Sequence, residues 1–251
     1  MEGREQDLVG RTVAQEARNW PATSFLARLP DQSRDALFAL GDARRFARGE
    51  RIAHEGDPGS GVFLLLSACA KVTARTDDGH EALLAIRIGG DIIGELAVMD
   101  GEPRSATVTA CRIDPSVAVA VGHDAFTDFL KKSPEASAAL AETVGRRLRW
   151  SNRRRIEFSG CSVKVRTARV IVELASTYGK QLPYNGVSIG TNLSQGELAT
   201  LIGAAVPSVQ RALRELRTAG LVGTGYRMLV ALDLPGLRAM AGLPAAVTAS
   251  F

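Results

Sequence analysis

A glycine, a carboxylate and an arginine stand close together in the first half of the chain. They are Gly94, Glu95 and Arg104, within a run from Gly90 to Val108 that ends Gly-Glu-Pro-Arg-Ser-Ala-Thr-Val. A glycine ahead of a helical turn leaves backbone N–H groups free for an anion, and the planar guanidinium of arginine matches two phosphate oxygens. A carboxylate beside them suits a neutral donor such as a sugar hydroxyl. The combination predicts a site for a nucleotide monophosphate.

A second run, residues 193–216, predicts two short helices joined by a tight turn. Ser194 and Glu197 have capping-box spacing, Gly203 supplies the turn, and Pro207 fixes φ in the first turn of the second helix. The apolar residues of that helix share one face, and the opposite face carries Ser208, Gln210, Arg211, Arg214 and Arg217. The pattern predicts a helix-turn-helix whose second helix fits the major groove of DNA. A purely structural three-helix bundle is the alternative.

The charge distribution supports a polyanionic partner for the second half of the chain. Residues 1–144 carry 16 Lys and Arg against 22 Asp and Glu, whereas residues 145–227 carry 14 against 4, in a chain of net charge +4. An acidic first half and a basic second half indicate two tasks on one chain, with the basic part facing nucleic acid. A solvated basic face without a partner is the alternative from charge alone.

The elements that must position these residues follow from the hydrophobic pattern. Residues 24–40 predict a short amphipathic helix, and residues 46–121 alternate short apolar runs with turns, which is typical of an antiparallel barrel or roll. Residues 134–159 predict a long helix with an apolar residue every fourth position, interrupted by Ser151 and Asn152. Such a seam suits pairing between two subunits, and packing on its own domain is the alternative.

The rest of the C-terminal half is predicted to contain shorter elements. We expect a helix over 166–178, a loop over 179–192, a hairpin over 221–232 that turns at Gly223-Thr224-Gly225, and a short helix near Pro235. The fold class is therefore α+β.

Several functional classes are excluded. The three cysteines, Cys69, Cys111 and Cys161, are widely spaced and predict neither a disulfide framework nor a zinc site. The three histidines have no ligand-type spacing and no catalytic nucleophile motif appears, so we expect neither an enzyme nor a metal site. No apolar run approaches the ~20 residues that cross a bilayer. The N-terminus is too polar and acidic for a signal peptide, and we expect a cytoplasmic protein without a membrane partner.

The first run resembles the phosphate-binding cassette of cyclic-nucleotide-binding domains. The resemblance implies that Gly94, the backbone at Glu95 and Leu96, Arg104 and Ser105 hold the cyclic phosphate, and that Glu95 takes the ribose 2′-hydroxyl. An alternative is a surface salt bridge between Glu95 and Arg104 in a roll that binds nothing.

The whole chain from about residue 24 to residue 243 resembles the Crp/Fnr family of regulators, in the branch of the cyclic-AMP receptor proteins. The resemblance implies a leader over 1–23, whose order the sequence leaves open, and a cyclic-nucleotide-binding β-roll over 24–133. It further implies a long dimerisation helix over 134–160 and a winged helix-turn-helix over 161–251. Ser151 and Asn152 would meet the base of the nucleotide.

The same resemblance implies the DNA-facing residues. Arg211 would read guanine, while Ser208 and Arg214 would contact phosphates. Val206 stands where the best-known member has a base-reading arginine. The operator sequence of that member is therefore not expected for this chain. The whole set is Gln195, Val206, Ser208, Gln210, Arg211 and Arg214.

These inferences predict a homodimeric transcription regulator under the allosteric control of cyclic AMP. Its partners would be a pseudo-palindromic double-stranded operator and RNA polymerase. Cyclic GMP stays open as the effector, and a regulator with another effector or none is the alternative.

Overall fold

The computed structural model describes residues 10–13, 15–183, 186–190, 192–225 and 228–245. The chain divides into two compact units, of which the first ends at Arg149 and the second begins at Trp150. The division falls inside a long helix.

Two four-stranded antiparallel sheets form the body of the first unit, which confirms the predicted roll. The strands are β1 (Gly41–Phe46), β2 (Arg51–Ala53), β3 (Gly61–Ser67), β4 (Cys69–Arg75), β5 (Glu81–Ile88), β6 (Ile92–Ile93), β7 (Thr107–Ala110) and β8 (Ser116–Gly122). One sheet has the order β1-β8-β3-β6 and the other the order β2-β7-β4-β5. Short helix α3 (Glu95–Asp100) lies between β6 and β7, which places the cassette on the chain that links the two sheets.

The core of the first unit lies between β3, β8 and the helices around them. Phe25 and Phe126 are fully buried there. Trp20 also belongs to this core and donates from Nε1 to the carbonyl of Leu66 at 2.9 Å. Packing of the unit therefore begins before residue 24, where the sequence pattern placed its first helix.

The helix predicted over residues 24–40 is two helices, α1 (Phe25–Arg28) and α2 (Asp31–Phe38). Pro30 explains the break, because its ring pushes the preceding residue out of the helical region. Leu29 has the extended values φ −78° and ψ 138°. The prediction of one continuous helix was wrong here.

Helix α4 (His123–Lys132) leads into the long helix α5 (Pro134–Gly160). The first turns of α5 pack on their own domain, since Ala136, Ala139 and Leu140 are buried in the core. Further along, Leu148 is 60% exposed and Ile156 is 73% exposed. The periodic apolar residues of α5 are therefore buried in the first turns of the helix and exposed further along it.

The second unit contains α6 (Val163–Tyr178), β9 (Gly179–Gln181), β10 (Val187–Ile189), α7 (Gln195–Ile202), α8 (Val206–Thr218), β11 (Val222–Gly225), β12 (Met228–Ala231) and α9 (Leu234–Met240). Its sheet has the order β11-β12-β10-β9, with antiparallel pairs.

Three predictions for this unit were wrong in detail. Helix α6 begins before residue 166, because the hydroxyl of Ser162 accepts from the N–H of Val165 and caps it. The predicted loop over 179–192 contains strands β9 and β10. Gly223-Thr224-Gly225 is not a turn but pairs with residues 228–230 along β12, because glycine and threonine also fit an edge strand. Tyr226 and Arg227 lie outside the described residues.

Within the described residues, no helix combines the length and the apolar character that crossing a membrane requires.

Candidate functional site

The cassette is built on a glycine that no other residue could replace without strain. Gly94 follows the buried strand β6 and has φ +83°, and α3 begins at the next residue. A Cβ on Gly94 would also collide with the guanidinium of Arg104. Glycine is therefore required here both for the left-handed backbone and for the close approach of the arginine.

Arg104 is a buried cation that donates hydrogen bonds to uncharged backbone carbonyls. Its Nη1 donates to the carbonyl of Gly94 at 3.0 Å and its Nη2 donates to that of Gly61 at 2.6 Å, and the residue is only 7% exposed. Burial lowers the pKa of the guanidinium, while the carboxylates of Glu95 and Asp57 raise it. The charge remains, because an arginine pKa lies so far above neutrality. Backbone carbonyls carry no net charge, so an anion would stabilise this cation further.

Glu95 is equally buried, and its partner is Arg147 on α5. Arg147 bonds to the Glu95 carboxylate through Nη1 and donates from Nη2 to the carbonyl of Ile92 at 2.7 Å. Sequence reasoning did not single out Arg147. It is one of several arginines on α5, and only the fold shows that this one faces the cassette.

The structure brings Gly94, Glu95 and Arg104 together but leaves the other predicted nucleotide contacts at the edge. Leu96 is 42% exposed and Ser105 is also exposed. Glu95 and Arg104 are both buried, and their hydrogen bonds go to Arg147 and to the carbonyl of Gly94. This arrangement differs from the alternative of a surface salt bridge between Glu95 and Arg104.

A cavity of about 300 Å³ opens beside Arg104. Of the predicted nucleotide residues only Arg104 lines it, with Ile52, Ala53, His54, Asp57, Pro58, Ser60 and Phe63. Ser151 and Asn152, predicted to meet the base, are exposed residues of α5 in the second unit.

The helix-turn-helix is fixed at both ends of α7. Ser194 and Glu197 form the predicted capping box, in which the Ser194 hydroxyl accepts from the N–H of Glu197 at 3.1 Å and Glu197 accepts from the N–H of Ser194 at 2.7 Å. At the other end Gly203 has φ +67°. These contacts confirm the capping box and turn expected from the sequence.

The turn at Gly203 is held by two residues that sequence reasoning did not single out. A Cβ on Gly203 would lie 2.5 Å from the ring of Phe158 at the end of α5. Arg166 on α6 lies 5.4 Å from the centre of that ring and donates to the carbonyls of Ile202 at 3.1 Å and Gly203 at 2.9 Å. The guanidinium thus satisfies the last carbonyls of α7 and fixes the turn that leads into α8.

Helix α8 has an apolar face and a basic face, as predicted. Its buried residues are Val209, Ala212, Leu213 and Leu216. Arg211 and Arg214 are exposed, Val206 is exposed at the start of the helix, and Ser208 and Gln210 are half-buried. Gln210 donates from Nε2 to the side-chain oxygen of Gln195 at 2.8 Å. The six predicted DNA-facing residues therefore all lie on α8 or at the start of α7.

Among the described residues, no group of three or more His, Cys, Asp or Glu side chains could hold a metal ion.

Both halves of the chain match known families. Residues 43–133 match the cyclic nucleotide-binding domain and residues 165–240 match the Crp-like helix-turn-helix domain. The chain is 32% identical over 177 residues to a CRP-like cAMP-activated global transcriptional regulator of Mycobacterium tuberculosis. The aligned region covers 70% of this chain and 78% of that protein.

Two solved structures are also similar to the chain. A transcriptional regulator of the CRP family from Thermus thermophilus superposes with a TM-score of 0.66 at 26% identity, covering 82% of this chain and all of that one. The c-di-GMP responsive global regulator CLP of Xanthomonas campestris shares the fold, with a TM-score of 0.68 at 19% identity over 81% of this chain and all of that one.

Proposed function

Because the chain belongs to the Crp/Fnr family, which consists of DNA-binding transcription regulators and not enzymes, we propose that it is a homodimer whose DNA affinity is controlled by a cyclic nucleotide. The proposed effector is cyclic AMP, bound in the β-roll. The observation that carries the proposal is the buried guanidinium of Arg104, held by two neutral carbonyls beside the buried carboxylate of Glu95.

Different residues of the cassette bind the phosphate and the ribose of the nucleotide. The cyclic phosphate meets Arg104, the hydroxyl of Ser105 and the backbone N–H groups at the start of α3, which favour negative charge. The ribose 2′-hydroxyl donates to Glu95. Since Glu95 already holds Arg147, the arriving hydroxyl shares that carboxylate with a side chain of α5. Nucleotide binding in the β-roll therefore changes a contact of the long helix α5.

The open part of α5 supplies the dimer contact in this proposal. Leu148 and Ile156 are two turns apart and well exposed, and apolar residues at such spacing suit helix pairing. Ser151 and Asn152 lie between them, where a hydroxyl and an amide can satisfy the edge of adenine. A two-fold dimer of this kind reads a pseudo-palindrome with half-sites about 34–36 Å apart.

DNA readout is assigned to α8 and the start of α7. Arg211 grips guanine O6 and N7, and Ser208 and Arg214 bind phosphates and set the register. Val206 offers an apolar contact to a base edge, while the bonded pair Gln195 and Gln210 presents amide groups beside it. A bound dimer would then recruit RNA polymerase.

Isothermal titration calorimetry of the purified chain with cyclic AMP, cyclic GMP and cyclic di-GMP tests the effector. We expect cyclic AMP to bind one molecule per protomer and to bind more tightly than the other two. If cyclic GMP or cyclic di-GMP binds more tightly, that nucleotide and not cyclic AMP is the effector. Binding of none of the three would overturn nucleotide control and leave only the DNA-binding function.

The matched variants are Arg104→Lys and Arg45→Ala. Lysine keeps the charge but loses the two-pronged geometry, so we expect affinity to fall roughly 10- to 100-fold, as the loss of one charge-assisted contact predicts. Arg104→Ala should abolish binding. Arg45 is exposed on β1, away from the cassette, and its removal should leave affinity unchanged. Equal affinity of all variants would contradict the role of Arg104.

A further inference from the structure

Two cysteines that are 42 positions apart lie side by side in the roll. Cys69 begins β4 and Cys111 directly follows β7, and the pairing of Ala70 with Ala110 makes the two cysteines the next pair of the same ladder. The backbone N–H of Cys111 donates to the carbonyl of Cys69 at 2.7 Å. Their Sγ atoms are 3.0 Å apart, and both residues carry thiols rather than a shared disulfide.

This geometry is already close to that of a disulfide. Directly opposite residues of an antiparallel pair have Cα atoms ~4.5–5.5 Å apart, which lies within the range that disulfides span. The sulfur atoms need to approach by about 1 Å to reach the bonding distance of ~2.05 Å. We expect rotation about the side-chain bonds of the two cysteines to supply this movement.

The two thiols differ in access. Cys69 is buried, with 8% of its surface exposed, whereas Cys111 is partly exposed at the end of β7. Its hydrogen bond with Cys111 and its burial raise the pKa of the Cys69 thiol, although the cations of Lys71 and Arg112 act in the opposite direction. Because it is the more exposed of the two, Cys111 is the thiol that a small oxidant reaches first, while the buried Cys69 thiol keeps its proton.

We propose that Cys69 and Cys111 form a redox-active dithiol that a hydroperoxide oxidises to a reversible disulfide. The Cys111 thiolate attacks hydrogen peroxide, the O–O bond breaks, and sulfenic acid and hydroxide form. The Cys69 sulfur then displaces the hydroxyl of the sulfenic acid, the S–S bond forms, and water leaves with the Cys69 proton. In sum, two thiols and one peroxide give one disulfide and two waters. A thiol reductant reverses the reaction.

The site belongs to the roll and is separate from the cassette contacts. Oxidation would join β4 to β7, the strand that begins three residues after Arg104. The proposal does not depend on nucleotide binding, since neither cysteine is among the residues assigned to the ligand.

The test is thiol counting on the full chain before and after oxidation. The reduced protein is treated with hydrogen peroxide, quenched, unfolded, alkylated with N-ethylmaleimide and weighed by mass spectrometry. We expect three maleimides before oxidation, one after it, and three again once dithiothreitol has been added, in line with the three cysteines of the chain. Peptide mapping should join Cys69 to Cys111.

Variants separate this pair from the third cysteine. Cys161→Ser should still form the internal disulfide, whereas Cys69→Ser and Cys111→Ser should each prevent it. Three maleimides after peroxide treatment, a link that involves Cys161, or over-oxidation of Cys111 with Cys69 still alkylated would overturn the proposal.

Discussion

Glu95 and Arg147 form a buried ion pair that joins the cassette to α5. The side chain of Glu95 is 6% exposed and that of Arg147 is 20% exposed, and Arg147 also lies 3.9 Å from the carboxylate of Asp91. Removing one member of such a pair leaves an uncompensated buried charge, which typically costs about 3–5 kcal/mol. The pair therefore constrains both the stability of the first unit and the position of α5 against the cassette.

We expect Arg147→Ala to lower the free energy of unfolding by about 3 kcal/mol in urea denaturation. The double variant Arg147→Ala with Glu95→Gln should recover part of that loss, because the buried charge is then gone. Arg149→Ala is the control, since Arg149 is exposed on the same helix and should change stability by less than about 0.5 kcal/mol. Additive effects of the two substitutions would argue against the pair.

In the proposed function, Arg211 and Arg214 have different tasks in DNA recognition although they lie one turn apart. Arg211→Ala should cost about 1–3 kcal/mol at one base position and relax the consensus from a binding-site selection. Arg214→Ala should weaken binding to all sequences alike and flatten the salt dependence by about one unit. An unchanged consensus for Arg211→Ala would refute its assignment as the base-reading residue.

The sequence indicates the candidate site residues that lie close together in the chain. Glu95 and Arg104 stand nine positions apart and their types alone indicate phosphate and sugar chemistry. Arg147 and the neighbours Cys69 and Cys111 were missed because their contacts span 52 and 42 positions. No spacing rule reports such contacts, since they depend on how the strands and α5 pack.

At the scale of elements, the turn between α7 and α8 depends on one glycine and the ring beside it. Gly203 and Gly220 both have positive φ, but a Cβ would meet Phe158 at Gly203 and open space at Gly220. Alanine at either position must adopt a left-handed backbone, which costs about 1–2 kcal/mol. Only at Gly203 must the Phe158 ring also move, which disturbs its contact with Arg166.

The Phe158 ring is 43% exposed and can turn away, but only by losing its contact with Arg166. Gly203→Ala should therefore destabilise the chain by about 0.5–1 kcal/mol more than Gly220→Ala, measured as the free energy of thermal unfolding. In a Phe158→Ala background the difference should disappear, because the ring is no longer in the way. Equal costs of the two glycine substitutions in the unmodified chain would show that the ring does not constrain the turn.

The ends of helices and the turns could be predicted where local backbone hydrogen bonds and glycine determine them. The capping box at Ser194 and the turn at Gly203 follow from local rules and were found. The break between α1 and α2 was missed although Pro30 signals it, because the apolar pattern on both sides outweighed the proline. The pairing of Gly223-Thr224-Gly225 with β12 was missed because glycines favour turns unless a neighbouring strand pairs with them.

At the scale of the whole molecule, the chain joins an acidic effector domain to a basic DNA-binding domain. The division between the compact units falls after Arg149, inside α5, so one helix carries both Arg147 and the exposed residues of the proposed dimer contact. A ligand can shift the DNA-binding state only by binding one state more tightly than the other, and such coupling is typically about 1–3 kcal/mol.

The most direct test measures operator affinity with and without cyclic AMP at one fixed salt concentration. The operator is the fragment recovered by selection, and binding is followed by fluorescence anisotropy for the unmodified chain and for Arg104→Lys. We expect saturating cyclic AMP to raise the operator affinity of the unmodified chain roughly 5- to 150-fold and to change that of the variant far less. If the unmodified chain binds its operator equally well with and without cyclic AMP, the nucleotide does not control DNA binding.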